Sequence, residues 1–483
     1  MAIVSQQPAR SGRWAELVLL ILALAIGLYA YLQVGLATTG SPPAGLLTHV
    51  GVLVVLALGT HIVLRWRAPY ADPVILPVAV ALNGIGLAML YRLDHAYELR
   101  DMASGFADRQ VLWSLLGIGA AVAVVIVLRD HRTLRRYTYL SMIAGLAMLL
   151  LPLVPGLGRE VNGARIWISV GSLSFQPAEL AKVLLAIFFA GYLVTNRDTL
   201  ALAGPKILGL QLPRIRDLGP IVLAWAVALL VLVFQRDLGT ALLFFALFVA
   251  MLYVATERLS WVLIGLLLFG GGAALAASTF GHVGARFEVW LDALNPAVYN
   301  RSPGGSYQVV QGLFGMATGG LMGTGWGQGR PDIVPYANSD FIFASLGEEL
   351  GLTGLLAILT MYLVLTQRGM RAAIGVRDGF GTLLASGLAF VVAFQCFVVV
   401  GGVTRLIPLT GLTLPFLAQG GSALVINWVI VALLLRISDA ARRPAPLAGD
   451  LPIPPITPGA DATDIAFEPT GDDANPTEVV RLP

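Results

Sequence analysis

Apolar residues run along this chain in stretches of about twenty, separated by short polar connections, and a bilayer core takes roughly 20 apolar residues per helix. By that rule spans fall near 16–36, 45–64, 73–91, 110–128, 136–155, 180–195, 218–234, 238–255, 260–280, 341–365, 380–400 and 415–435. The pattern predicts an all-α polytopic membrane bundle of about 12 transmembrane helices. An even number of spans puts both termini on one side. Arg65, Arg67, the cluster Arg129, Arg132, Arg135 and Arg136, and Arg436, Arg442 and Arg443 all fall on that side. It carries about twice as many Lys and Arg as the opposite side, which the positive-inside rule reads as cytoplasmic. The first stretch is too long for the apolar core of a signal peptide and lacks a small-residue cleavage pattern, so it reads as a retained span.

Composition agrees with the pattern. Of 483 residues 57% are hydrophobic and 12% charged, whereas soluble domains carry about 25% charged residues. A net charge of +3 points to no nucleic-acid partner. The single cysteine, Cys396, lies in an apolar run and reads as a small core hydrophobe. Three regions follow: two helices and a cytoplasmic lead in 1–72, a polytopic core in 73–438, and a Pro- and Asp-rich tail in 439–483. The tail has too little apolar surface to fold, so it is expected to be disordered in the cytoplasm. The two halves show no inverted pair of broken helices of the kind that marks many transporters.

Polar residues collect on the side opposite the termini. The longest connection, residues 281–340, has the length of a binding or catalytic element, and its apolar piece 309–321 is too short to span and reads as re-entrant or interfacial. The glycines between 304 and 329 either let backbone approach a phosphate or serve as a plain connector. A second stretch, 158–182, holds Arg165, Trp167, Gln176, Glu179 and Lys182. Glu179 and Lys182 stand three apart at the mouth of a helix and are placed to pair. The turn QRDLGT (235–240) is a third, and 401–422 a fourth, with Arg405 and two prolines breaking helix between spans.

The stretch SDFIFASLGEELGLTGLL (339–356) carries Asp340, Glu348 and Glu349 into an apolar run. Asp340 suits a helix N-cap. Glu348 and Glu349 would lie about two turns into the membrane. Carboxylates at that depth either pair with Arg405 or Arg286 to hold helices together, or line a wet cavity.

Six motifs then carry a resemblance: NGARIWI (162–168), SFQPAELAK (174–182), QRDLGT (235–240), SYQVVQ (306–311), SDFIFASLGEELG (339–351) and PLTGLTLPFLAQGGS (408–422). In this order they resemble the FtsW/RodA/SpoVE (SEDS) family of bacterial peptidoglycan polymerases over roughly 73–438. The two spans before residue 70 look like those of extended actinobacterial RodA-type members. The resemblance implies a glycosyltransferase of the bacterial plasma membrane that polymerises lipid II into glycan strands at the outer face, in elongation or division. It also implies a class B penicillin-binding protein (a transpeptidase) as partner, and a divalent cation as an aid, although the sequence shows no metal-ligand spacing. Arg165, Lys182, Arg286 and Arg405 would stabilise the departing lipid diphosphate. Trp167, Gln308, Asp340, Glu348 and Glu349 match their motifs and are substrate-binding candidates, and Trp167 reads equally as an interfacial anchor.

The chain departs from the family at one place that matters. The family's acid belongs to a D-P-x-G-x-G-Y-Q motif, and this chain reads WLDALNPAVYNRSPGGSYQ. Counting back from Tyr307 and Gln308 puts Arg301 at that position, and counting forward from Trp290 puts Asn295 there. Asp292 is the nearest acid and the catalytic candidate, with Asp332 and Asp340 behind it. Its plainer reading is a surface aspartate. Ala418 stands for the usual Ser, and Ile166 for a second basic residue. Two other classes remain open on the sequence: a non-catalytic scaffold of a cell-wall complex, and a flippase for the lipid-linked precursor.

Overall fold

The computed structural model describes residues 12–43, 45–161, 164–170, 173–197, 234–302 and 304–444, with isolated pieces at 206–207, 210–211, 223 and 226–227. Eleven helices among these are long and apolar enough to cross a membrane. Most of the expected span near 218–234 and the tail beyond 444 lie outside the described residues. The first six long elements are α1 (Arg13–Thr39), α2 (Leu46–Arg67), α3 (Ile75–Glu98), α4 (Phe106–Val127), α5 (Thr138–Leu150, extended at both ends by 3-10 turns) and α6 (Pro177–Thr195). Next come α7 (Leu238–Thr256) and α8 (Leu259–Thr279). Most of α3, α6, α13 (Gly379–Val403) and α14 (Gly421–Arg442) is buried, and these helices form the centre. Leucines such as Leu266 and Leu267 on α8 point outward, as expected where acyl chains rather than water surround the bundle.

The two N-terminal helices dock on the core by small residues and polar ends. Gly27 of α1 meets Gly84 of α3 so closely that a Cβ on Gly27 would lie 3.1 Å from the Gly84 Cα, a close approach that larger residues would block. Arg67, ending α2, donates to the Ile126 carbonyl at 2.6 Å. Arg436 of α14 donates to the carbonyls of Leu128 and Arg67, both at 2.7 Å, and to that of Arg129. One guanidinium thus collects the orphan carbonyls at the ends of α2 and α4.

Three features differ from the sequence expectation. Residues 158–175 form an antiparallel sheet, β1 (Gly158–Val161), β2 (Ala164–Val170) and β3 (Leu173–Phe175), where only a connection was expected. The signal was in the sequence: β-branched and aromatic residues flank Asn162-Gly163, a hairpin dipeptide. The long connection 281–340 is also ordered, as α9 (Gly281–Leu291), α10 (Pro296–Tyr299) and α11 (Tyr307–Gly319). The apolar piece expected to be re-entrant or interfacial is thus mostly α11, which lays Gly312 against the Phe341 ring.

The third difference is a break in α12 (Ile342–Gly375). Gly351 has φ 67° and ψ −172°, so the helix is two pieces. A break in a membrane helix strands backbone groups that need partners. Residues 320–325 supply them. The N–H groups of Thr324 and Gly325 reach the Glu348 and Glu349 carbonyls at 3.0 and 2.9 Å, and Leu352 and Thr353 donate to the Gly320 and Leu321 carbonyls at 2.9 and 3.1 Å. A Cβ on Gly351 would lie 2.2 Å from the Gly323 nitrogen, so glycine is required there for space as well as for φ.

Candidate functional site

The cluster begins at the head of α6. Pro177 sits in the first turn, where its missing N–H costs nothing. One turn later Lys182 is buried, with its ammonium 2.5 Å from Glu179 Oε2. The expected pair forms. A second partner comes from α13, where Gln395 Oε1 accepts from Lys182 Nζ at 3.0 Å. The other end of that amide donates to the Thr413 carbonyl at 2.8 Å.

The turn QRDLGT brings in Asp237, which caps α7 by accepting from the Thr240 N–H at 3.1 Å and from its hydroxyl at 2.6 Å. Burial pushes the Asp237 carboxyl up, against the pull of Thr240 and of Arg286. Arg286 projects from α9 and donates to the Thr410 carbonyl at 3.2 Å. Burial lowers its pKa, and both Asp237 and Asp340 work to raise it. Asp340 completes the set. Burial lifts its carboxyl to about 7, against its own backbone N–H and Arg286. It is not the cap of the helix that follows: Phe341 holds that place, with no side-chain cap. Asp340 is instead an acid poised near neutrality beside a cation.

The end of α9 is held by the break between α13 and α14. Arg405 adopts φ 59° and donates to the Trp290 carbonyl at 2.7 and 3.2 Å, and the Trp290 indole donates to the Arg405 carbonyl at 3.0 Å. Asp292 follows directly, exposed, and accepts from the Asn295 amide at 2.8 Å. Both positions where the family acid was sought have work of their own. Asn295 caps α10 through the Ala297 N–H, and Arg301 pairs with Glu288 at 2.5 Å.

The remaining candidates lie elsewhere. Glu348 and Glu349 do not pair with Arg405 or Arg286. Glu349 is buried against Arg92 of α3 at 2.8 Å and accepts from the Gly327 N–H at 3.0 Å, while Arg92 also reaches the Gly329 carbonyl at 2.7 Å. Glu348 accepts from the Arg330 N–H at 2.7 Å. Their carboxylates fold the glycine-rich loop back onto the broken helix, with Arg92 rather than Arg405 or Arg286 as the paired cation. The glycines of that loop are bound the same way. Asp332 is buried and pairs with Arg100 at 2.5 Å, and Gln308 donates to the Pro335 carbonyl at 3.1 Å. Arg165 lies on β2, exposed, facing Glu160 at 3.2 Å, with Trp167 two residues on, opposite Arg159.

Arg286 thus lies with Asp237 and Asp340, Glu179 joins Lys182 to Asp237, and Arg405 and Asp292 flank the end of α9. Sequence reasoning gave no role to Asp237, Gln395 or Arg92. Among the described residues no three His, Cys, Asp or Glu side chains come together in a way that could hold a metal ion. The donor set of the described residues does not fit a resident metal.

The profile of the FtsW/RodA/SpoVE cell cycle proteins matches residues 73–443. The chain is 47% identical over 446 residues to the peptidoglycan glycosyltransferase RodA of Mycobacterium tuberculosis, covering 92% of this chain and 94% of that one. The stage V sporulation protein E of Bacillus subtilis is 34% identical, over 77% of this chain and 98% of its own. Among solved structures, a chain of a peptidoglycan synthase complex matches with a TM-score of 0.53 and 26% identity, covering 81% of this chain and 96% of that one. The rod shape determining protein RodA of Thermus thermophilus gives 0.54 and 25%, covering 77% and 98%. A shared profile, close relatives along nearly the whole length and a common helical fold agree: the chain belongs to the FtsW/RodA/SpoVE family.

Proposed function

We propose that this chain is a peptidoglycan glycosyltransferase that polymerises lipid II into glycan strands, at the membrane face opposite its cytoplasmic termini. The observation that carries it is the array of Lys182, Arg286 and Arg405 with Glu179, Asp237, Asp340 and Asp292, contributed by α6, α9 and the segments before α7, α12 and α14. A lipid-linked donor keeps its tail among acyl chains while its diphosphate reaches Lys182 and Arg286. The acceptor 4-hydroxyl attacks the donor anomeric carbon, the glycosidic bond forms, and the bond to the diphosphate breaks. Cations placed where that charge appears stabilise the transition state.

A carboxylate within hydrogen-bond reach takes the hydroxyl proton. Asp292 fills that role in this reading, because it is exposed beside the Arg405 clamp and held by Asn295. Asp340 is the rival base, favoured by a pKa near neutrality. A divalent cation would enter only with the diphosphate, held by one or two carboxylates rather than by a cage. A class B penicillin-binding protein is the transpeptidase that crosslinks the product. A scaffold role is the second reading, favoured by the arginine and asparagine at the family's acid position.

The test is glycan formation from labelled lipid II by the purified protein with its transpeptidase, crosslinking blocked. Loss of polymer in folded Asp292→Ala, with polymer kept in Asp340→Asn, assigns the base to Asp292. The reverse pattern assigns it to Asp340. No polymer from wild type with the partner bound would favour the scaffold.

A further inference from the structure

Gln395 is a lone amide inside an apolar helix, and it is fully buried. Burying an amide costs free energy unless both of its ends are bonded. Here the chemistry allows one orientation only. An ammonium has no acceptor, so the Gln395 oxygen must face Lys182. A carbonyl has no donor, so its NH₂ must face Thr413. The observed distances, 3.0 and 2.8 Å, match that arrangement.

Thr413 belongs to the non-helical stretch between α13 and α14, which Arg286 grips at Thr410. The same stretch presses on α7: a Cβ on Gly239 would lie 2.8 Å from the Thr410 carbonyl. Gln395 therefore ties the buried ammonium to the segment that also carries the Arg286 and Arg405 contacts. Among the described residues Gln395 is the hydrogen-bond acceptor of Lys182 Nζ, while Glu179 Oε2, 2.5 Å away, pairs with it by charge.

We propose that Gln395 is a positioning residue for the polymerase reaction: it fixes the orientation of the Lys182 ammonium and holds the 404–420 segment in register with it. This rests on the glycosyltransferase reading above. A diphosphate that gains charge as its bond to the sugar breaks needs a donor already aimed at it, since reorientation during the reaction would forfeit much of the gain.

The experiment uses two variants in the complex with the transpeptidase, crosslinking blocked, with lipid II as substrate. Gln395→Met keeps the volume and loses both bonds. A hydrogen bond to a charged group is worth about 1.5–3 kcal/mol, so kcat should fall about tenfold to a hundredfold, with a smaller change in KM. Gln395→Glu supplies the second readout. As the protonated acid its carbonyl accepts from Lys182 and its O–H donates to Thr413, reproducing the amide. Ionised, it sets a carboxylate against the Thr413 carbonyl. Its bonded titratable partner is Lys182; beyond that stand Glu179 on α6 and, next to Glu179, Asp237 at the head of α7, with Cys396 on its own helix facing Tyr362 of α12, and Arg286 on the segment it holds. Activity of the Glu variant relative to wild type should rise as pH falls.

Polymerisation at the wild-type rate by folded Gln395→Met would overturn the proposal. So would a Glu variant with the same relative activity at every pH, which is the pattern of simple structural damage, and that arm decides the matter if the Met variant does not fold. No polymer from wild type would overturn the glycosyltransferase reading and this inference with it.

Discussion

Breaking the Arg92–Glu349 pair tests whether these charges build the fold or serve the substrate. Both side chains are almost wholly buried, and each also binds backbone of the glycine-rich loop. Removing one partner leaves an uncompensated charge, which costs about 3–5 kcal/mol in soluble proteins. Glu349→Ala strands the guanidinium and frees the Gly327 N–H; Arg92→Met strands the carboxylate. At about 2 °C per kcal/mol, the low end for large chains, each single change lowers the midpoint of thermal unfolding by about 6–10 °C. Replacing both at once removes the stranded charge, and apolar residues of similar volume are often neutral or better. The double variant Arg92→Met/Glu349→Met should therefore regain most of the loss, and polymerisation with it. The assay is thermal unfolding in detergent beside glycan formation, scored as a double-mutant cycle. Additive losses, or a double variant that is stable yet inactive, would refute the structural reading and return Glu349 to the substrate.

Two further predictions follow from the same geometry. Gly351→Ala forces a left-handed φ on a residue with a Cβ and drives that atom into Gly323; it should cost at least about 1–2 kcal/mol and show as a lowered unfolding midpoint, and an unchanged midpoint would contradict it. For Asp340, burial raises the carboxyl from 3.8 to about 7. The folded protein keeps a proton that the unfolded chain has lost, so this group's contribution to stability falls as pH rises from about 4 to about 7 and is level above that. Asp340→Asn cannot ionise, so its stability relative to wild type should grow over that window, read as the difference in unfolding midpoint. A difference that stays flat or shrinks would count against the shift.

The spans were legible because twenty apolar residues in a row have one use in a bilayer. What escaped were the places where backbone leaves the helix and where partners are remote. Arg92 and Glu349 stand 257 residues apart, so a sequence could show that Glu349 needs a cation without showing which one. The break at Gly351 left no local signal, because the loop that repairs it lies some thirty residues upstream. Gln395 did leave a trace, a single amide in the run FVVAFQCFVVVGG. A polar residue at that depth asks for a named partner. The sheet at 158–175 was lost to the assumption that a membrane bundle has only helices and loops. Lys182, Arg286 and Arg405 stood out as candidates because cations beside helix breaks on one side of a membrane have few structural uses.

The central claim is that the cluster around Arg286 receives the charge of a departing diphosphate. Glycan formation from labelled lipid II, compared between wild type and Arg286→Met in the complex with the transpeptidase, tests it most directly. Wild type should make long strands, and a folded Arg286→Met should be slower by about a hundredfold to a thousandfold, the loss expected when one preorganised donor to a developing anion is removed. Equal rates from both would contradict the claim.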